Sequence, residues 1–155
     1  MEGAYYIRLG ERRIWERKCL RDGSLLLGYQ CTPHELCVSG AWSEVAAFWT
    51  QRRNKATGTR YANQIRIFYE SDESTTFVTI ARGRLYWCRP AEPVELLECG
   101  CRKRRTVSGW RDTDARGHVL AVARLSDGLR VADRFRGTIR RISDRAELAS
   151  LLAGE

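Results

Sequence analysis

The sequence predicts an α+β fold in which a curved or closed antiparallel β-barrel is flanked by helices. Apolar residues recur at helical spacing in the first half of the chain and at its end. Between these regions, β-branched and alternating segments follow one another with short turns. This order favours α+β over a doubly wound parallel sheet. The chain has 155 residues and is 43% hydrophobic, so we predict one domain over residues 1–155 with an ordinary core.

The first half is predicted to open with a strand and to continue mainly as helices. In the first helix Ile14 and Cys19 lie at helical spacing, Ser43 is a plausible N-cap for the second, and Gly58 forms a turn that opens the third. The connection at residues 33–40 is predicted to be irregular. The predicted elements are a strand over residues 4–9, a helix over 11–21, a strand over 24–29, and helices over 44–52 and 60–70.

The second half is predicted to consist of strands followed by one helix. Arg82-Gly83 forms the turn of a hairpin, and Asp144 with Glu147 three residues later is typical of a capped helix start. The predicted strands cover residues 75–80, 84–89 and 94–98, with shorter ones around 106–110, 119–122 and 138–142.

The charge of the chain indicates a nucleic-acid partner. The formal net charge is +8, from 27 Lys and Arg against 19 Asp and Glu, and lysine occurs only at Lys18, Lys55 and Lys103. The planar guanidinium suits phosphates and base edges, and a basic excess steers a protein toward nucleic acid. An arginine-rich proteome would explain the preference for arginine equally well, but it does not explain the sign of the net charge.

Nothing in the sequence indicates a membrane or a secretory signal. No apolar run approaches the roughly 20 residues that a membrane-spanning helix requires, and the first eight residues lack the apolar region of a signal peptide. We therefore expect a soluble, cytoplasmic protein without a membrane partner.

The six cysteines raise the question of a zinc site. Cys31, His34 and Cys37 have ligand-like spacing, and Cys99-Gly100-Cys101 could supply further thiolates. A structural zinc site usually has paired cysteine knuckles, and neither cluster has that form. We predict no metal and no other cofactor, and disulfides are not expected without a secretory signal. Whether Cys31, His34 and Cys37 bind zinc stays open.

Signatures of catalysis are absent from the sequence. No nucleophile elbow, phosphate-binding loop or zinc-protease motif occurs, and we predict that the protein is not an enzyme. Asp112 and Asp114 lie two positions apart and resemble the start of a calcium loop, but the later acidic ligands are missing. We interpret this segment as a turn capped by its acidic side chains. An enzyme that uses Asp112, Asp114 and His118 around a metal is the alternative.

Two groups of residues are predicted to bind nucleic acid. A run of four positive charges would hold phosphates without sequence preference; it consists of Arg102, Lys103, Arg104 and Arg105. Tryptophans outside obvious core faces could stack on a base, each stack contributing about 1–3 kcal/mol. Trp42 and Trp110 are such candidates. Tyr86 and Trp87 are neighbours on a predicted strand, which sends neighbouring side chains to opposite faces, so one ring can enter the core while the other lines a pocket. Asp112 is also assigned to the predicted base-binding pocket.

The segment from Thr57 to Arg66 is predicted to be a ligand-binding helix start. Gly58 would form a tight turn, and Arg60 and Asn63 would lie beside free backbone N–H groups. A base flipped out of a duplex, held between apolar walls and hydrogen-bonded by amides, suits this mixture of groups.

These residues resemble the PUA-like superfamily, and within it the EVE and YTH-type domains that read modified bases. The similarity covers about half of the chain and is clearest in the string from Gly58 to Arg66, in the strand at residues 76–80 and in the opening strand at residues 5–9. Residues 71–74 replace the usual Gly-Asp pair of the family, and residues 109–137 have no counterpart.

The resemblance implies a β-barrel with a pocket beside the helix that begins near Arg60. It assigns Thr57, Gly58, Arg60 and Asn63 to this pocket, with an aromatic wall from Tyr86 or Trp87. The implied function is recognition of a modified, flipped base in nucleic acid, DNA being favoured over RNA. Such modules are the recognition part of modification-dependent restriction or defence proteins. The resemblance therefore implies a nuclease domain in the same chain or in a partner chain. A protein–protein interaction module with exposed tryptophans is a further alternative.

Overall fold

The computed structural model describes residues 2–130 and 134–155. The strands are β1 (Gly3–Ile7), β2 (Ser24–Leu27), β3 (Thr75–Ala81), β4 (Arg84–Pro90), β5 (Glu95–Leu96), β6 (Arg102–Arg111) and β7 (Ile139–Arg141). The α-helices are α1 (Glu16–Asp22), α2 (His34–Val38), α3 (Trp42–Arg52), α4 (Lys55–Glu70), α5 (Asp127–Arg130) and α6 (Arg145–Ala153). Short 3-10 turns lie at Glu11–Arg13 and Val122–Arg124.

The strands form one strongly curled sheet with the order β2-β6-β4-β3-β1-β7, and β5 pairs with β6 at its side. The α+β class and the curled sheet flanked by helices are confirmed. The prediction of a purely antiparallel sheet is wrong, because β1 and β3 pair in parallel. A parallel pair needs a long crossover, and here α1 to α4 lie between the two strands.

One face of the sheet packs against α4. Tyr5 and Phe77 are register partners on β1 and β3 and are buried together with Ile65 and Phe68 of α4. Side chains of a strand alternate between faces, so the intervening residues point away from α4. The apolar positions of α4 therefore fill this side of the sheet with protein core.

The opposite face carries a second core. Val78 of β3 and Leu85 of β4 pack there with Leu148 of α6 and Leu129 of α5. The hydroxyl of Tyr6 on β1 donates a hydrogen bond to the carbonyl oxygen of Leu129. The sheet consequently separates α4 on one side from α6 on the other.

Several predicted boundaries differ from the observed ones. The predicted helix over 11–21 is interrupted, since Arg12 and Arg13 have positive φ angles of 53° and 59°. Helix α3 begins at Trp42 after Ala41, so Ser43 is not its N-cap. The predicted strand over 119–122 is reduced to isolated bridges, and α2 lies in the connection predicted to be irregular. At the last helix, Asp144 does accept a hydrogen bond from the Glu147 N–H, at 2.9 Å.

Gly58 lies inside α4 and not in a turn before it. The side chain of Asn54 caps this helix by accepting from the Thr57 N–H at 2.8 Å. The Gly58 N–H donates to the carbonyl oxygen of Asn54 at 2.9 Å. A Cβ at Gly58 would lie 2.3 Å from Thr50 Oγ1 and 2.7 Å from the carbonyl oxygen of Ala46. Gly58 is therefore the point of close approach between α4 and α3.

We expect Gly58→Ala to lower the free energy of unfolding by about 1–3 kcal/mol, because α3 must move to admit the methyl group. Gly128→Ala on α5 is the matched control, since the nearest side-chain atom, Ser126 Oγ, would lie 3.7 Å from the added Cβ. That change should leave stability unaltered or raise it by up to about 1 kcal/mol. Urea unfolding measures both, and a Gly58→Ala protein as stable as wild type would contradict the close packing.

Candidate functional site

The run from Arg102 to Arg105 lies on β6, and alternation along this strand divides its charges. Arg102 and Arg104 are both 0% exposed and face α4, whereas Lys103 is half-buried and Arg105 is exposed. The prediction that all four residues bind phosphate is therefore wrong for Arg102 and Arg104. Only Lys103 and Arg105 remain within reach of a ligand.

The two buried guanidinium groups are hydrogen-bonded to the backbone around them. Arg102 donates to the carbonyl oxygens of Tyr29, at 2.7 Å, and of Thr32, and its Nε donates to the Tyr69 hydroxyl at 3.2 Å. Arg104 donates to the carbonyl oxygens of Phe68 and Ser71 at 2.9 Å and 2.6 Å, and to that of Ala91 at 3.0 Å. Such contacts supply donors to the carbonyl groups of Thr32, Ser71 and Ala91. The carbonyl oxygens of Tyr29 and Phe68 also accept from the hydroxyls of Thr32 and Ser71.

We expect Arg104→Met to lower the free energy of unfolding by about 3–5 kcal/mol, because it removes the donor to the carbonyl oxygens of Ser71 and Ala91 and the link between β6 and the end of α4. Arg105→Met, one position along the same strand, should cost less than about 0.5 kcal/mol because its side chain is exposed. Thermal or urea unfolding of the pair checks this. Equal losses would show that Arg104 has no special structural role.

Helix α4 starts at its N-cap, Asn54, before the four residues that were predicted to form a pocket at a helix start. Arg60 and Asn63 are exposed on α4, and the Arg60 guanidinium lies 5.6 Å from the centre of the Tyr61 ring. The backbone N–H groups of Thr57 and Gly58 are used by Asn54. Because α4 and Trp87 lie on opposite faces of the sheet, these four residues do not share a site with Trp87.

The other predicted pocket residues are also dispersed. Trp42 lines a separate groove of about 340 Å³ beside Tyr69 and donates to Glu70 Oε1 at 3.2 Å. Trp110 packs against the core on the α4 side and donates to the carbonyl oxygen of Ser24 at 2.9 Å. Tyr86 pairs with Thr79 on the face opposite Trp87, and Asp112 accepts from Arg84 at 2.7 Å.

Trp87 lines an open cleft between α6 and the face of the sheet on which Trp87 lies. This hollow of about 720 Å³, which we name the Trp87 cleft, is bounded by β1, β3 and β4, by the end of β6 and by α6. Its lining includes Trp87, Arg89, Arg111, Thr113, Arg145 and Leu152. An aromatic ring, three guanidinium groups and an apolar helix face thus meet at one hollow.

The register of the strands explains why Arg89 and Arg111 lie beside Trp87. Arg89 is two positions after Trp87 on β4 and so points to the same face. Arg111 of β6 is the direct register partner of Trp87, after an irregularity in the pairing of the two strands. Ser108 and Gly109, with φ angles of 70° and 78°, lie in that interval. A β-bulge of this kind re-aims the side chains that follow it.

The indole and guanidinium groups of the cleft have the chemistry to stack on planar groups and to pair with anions. Trp87 Nε1 donates to the carbonyl oxygen of Thr113 at 3.0 Å, which fixes the ring. The Arg111 guanidinium lies 5.4 Å from the centre of this ring. Within residues 2–130 and 134–155, Arg89, Arg111 and Arg145 form no ion pair with a carboxylate. Glu2 and Asp114 are the acidic residues of the lining.

The charge of Asp114 is already compensated inside the protein. Its Oδ1 accepts from the backbone N–H groups of Arg116 and His118 at 2.9 Å each, and its Oδ2 accepts from Arg124 at 3.1 Å. Burial would raise the pKa of Asp114, but these hydrogen bonds, first that from the His118 N–H, hold the pKa at about 2. The prediction of a turn capped by an acidic side chain is confirmed for Asp114.

A carboxyl group whose pKa is lower in the folded protein stabilises the fold above its unfolded value of about 3.9. We therefore expect Asp114 to contribute fully above about pH 4 and to lose its contribution as the pH falls toward 2. Asp114→Asn should reduce the loss of stability over that interval, measured by urea unfolding at a series of pH values. Asp144→Asn, which keeps a capping side chain, is the control. Parallel curves for Asp114→Asn and wild type would contradict this role.

The residues considered for a metal have other partners. His34 Nδ1 lies 2.7 Å from the Tyr69 hydroxyl, and Cys37 is buried beneath it. His118 Nδ1 lies 3.5 Å from Asp114 Oδ2. Among the residues that the structure describes, no three His, Cys, Asp or Glu side chains come together as a metal site.

Sequence reasoning missed Arg89, Arg111 and Arg145. Arg89 could have been found, because it follows Trp87 at the two-residue spacing of one strand face. Arg111 depends on the irregular register between β4 and β6, and Arg145 depends on the docking of α6. Neither the irregular strand register nor the docking of α6 can be predicted from neighbouring residues in the sequence.

Comparison with protein-family models, with curated proteins and with solved structures found no match to this chain. Within the described part of the chain, no helix combines the length and the apolar character needed to cross a bilayer.

Proposed function

We propose that this chain is a nucleic-acid-binding module that holds one modified base, flipped out of DNA, in the Trp87 cleft. The observation that carries the proposal is the meeting of the Trp87 indole with three guanidinium groups that have no carboxylate partner in the described chain. Flipped bases are held by stacking on aromatic rings or guanidinium planes. DNA is favoured over RNA as the ligand.

The dimensions of the cleft support a ligand the size of a nucleotide. Its volume of about 720 Å³ lies within the range of about 300–1,000 Å³ that is usual for small-molecule pockets. Leu152 and Ala149 of α6 provide an apolar wall opposite Trp87. A methyl or other apolar substituent on the base would be favoured by contact with such a wall.

The arginines of the cleft support contacts to the phosphates on either side of the flipped nucleotide. Arg89 and Arg111 belong to neighbouring strands, and Arg145 begins α6. The net charge of +8 adds long-range attraction that weakens with salt. Lys103 and Arg105 remain accessible on β6 but lie outside the lining of the cleft, so they would contact phosphates farther along the nucleic acid.

The resemblance of residues 57–87 to EVE and YTH-type domains agrees with a modified base as ligand, although the pocket that we propose is on the other face of the sheet. In a modification-dependent restriction or defence protein, such a module would direct a nuclease in the same or a partner chain. The module itself would then need no catalytic residue.

Short duplexes that carry cytosine, methylated cytosine, adenine or methylated adenine at one position test this proposal by fluorescence anisotropy. We expect tighter binding to one methylated duplex than to its unmodified counterpart. Trp87→Ala should weaken that binding about 5- to 150-fold, the equivalent of one lost stacking contact of about 1–3 kcal/mol. Trp42→Ala, a change of the same size outside the cleft, should leave the affinity unaltered.

Arginine variants distinguish phosphate contacts from base contacts in the same assay. Arg111→Gln should weaken binding to all duplexes and lower the slope of log affinity against log salt by about 1. Arg66→Gln is the control, because Arg66 is ion-paired to Glu70 at 2.8 Å on α4. Equal affinity for every duplex, or equal effects of Trp87→Ala and Trp42→Ala, would remove the base-binding claim.

A further inference from the structure

The turn between β5 and β6 holds two cysteines on either side of a glycine in a fixed conformation. The Leu97 N–H donates to the carbonyl oxygen of Cys101, and the Gly100 N–H donates to that of Leu97, each at 2.9 Å. Gly100 has a φ of 89°, and a Cβ there would lie 3.1 Å from the carbonyl oxygen of Gln30. This is a three-residue hairpin loop that ends in a left-handed glycine. Cys99 and Cys101 are therefore held side by side.

The two thiols have different surroundings. The Cys101 N–H donates to Cys99 Sγ at 3.4 Å. Gln30 Nε2 donates to Cys101 Sγ at 3.3 Å. Cys99 is exposed, whereas Cys101 is 4% exposed. An incoming reagent thus meets Cys99 first, and Cys101 follows two residues later in the same turn.

The surroundings of the two thiols give them different reactivity. Hydrogen bonds from the Cys101 thiol and then from the Cys101 N–H lower the pKa of Cys99. Burial raises the pKa of Cys101. The thiolate is the nucleophile in exchange with a disulfide, so the exposed member of the pair is also the one favoured to attack.

We propose that Cys99 and Cys101 form a thiol–disulfide exchange site that reacts with low-molecular-weight disulfides. The Cys99 thiolate attacks one sulfur of the small disulfide, a mixed disulfide forms, and the first small thiol leaves. The thiol of Cys101 then loses its proton to solvent and attacks Cys99 Sγ, which releases the second small thiol. The two cysteines are oxidised to one intrachain disulfide, and the small disulfide is reduced to two thiols.

The remaining cysteines do not offer a second pair of this kind. Cys19, Cys37 and Cys88 are buried in the core, and burial raises the pKa of each; for Cys19 it reaches about 11. Cys31 is exposed on the neighbouring turn and is bonded to no other residue as a disulfide. Cys31 thus serves as an internal reference for an accessible thiol without a partner.

Oxidised glutathione is the probe for this site. The full chain is incubated with it, quenched with acid, and analysed by mass spectrometry of the intact protein and of its peptides. We expect wild type to lose two hydrogen atoms through a link between Cys99 and Cys101, with little mixed disulfide at Cys99. Cys101→Ser should stop at the mixed disulfide on Cys99, and Cys99→Ser should lose the reaction at this turn. Cys31→Ser should behave as wild type.

Two results would overturn the proposal. One is a stable glutathione adduct on Cys99 in wild type, at the same yield as in Cys101→Ser, because the second thiol would then have no role. The other is a Cys99 that reacts no faster with oxidised glutathione than Cys31 does near neutral pH, because the arrangement of the turn would then give Cys99 no advantage as the attacking thiol. Far-ultraviolet circular dichroism confirms that each variant is folded, so either result counts against the site and not against the fold.

Discussion

The burial of two guanidinium groups on β6 is the constraint on which the rest of the structure depends. Arg104 connects this strand to the end of α4 through the carbonyl oxygens of Phe68 and Ser71, and Arg102 connects it to the turn at residues 29–32. A buried cation is costly unless its donors are satisfied, so these bonds fix both the face and the register of β6. The same strand then extends to Arg111, which lies opposite Trp87.

The curled sheet also determines which charges can act on a ligand. Side chains that alternate along β4 and β6 divide between a face closed by α4 and a face partly open beside α6. Cations on the first face hold the protein together, whereas Arg89 and Arg111 on the second are bordered by an indole and an apolar helix. A net positive charge read from composition alone does not distinguish these roles. The proposed function rests on this second group.

Predictions from the sequence were correct where neighbouring residues determine the structure. They were wrong where contacts between distant elements determine it. The hairpin at Arg82-Gly83 and the cap at Asp144 depend on neighbouring residues, and both were predicted. Gly58 suggested a turn, because glycine is common there, but close packing of α3 and α4 is what requires it. The run from Arg102 to Arg105 suggested a solvated basic patch, because the predicted strand began only at about residue 106, whereas β6 begins at Arg102 and buries alternate side chains of the run. The Trp87 cleft needs the docking of α6, which no local pattern encodes.

Base binding in the Trp87 cleft is tested most directly by NMR spectra of the nitrogen-15-labelled indole groups during titration with a methylated DNA duplex. Each tryptophan Nε1 proton reports one place in the fold: Trp87 donates to Thr113 in the cleft, and Trp49 donates to Thr32 in the core. We expect a large, saturable shift of the Trp87 signal, with the Trp49 and Trp110 signals unchanged. A titration that leaves Trp87 unmoved while DNA binds, or that shifts Trp42 instead, would contradict this expectation.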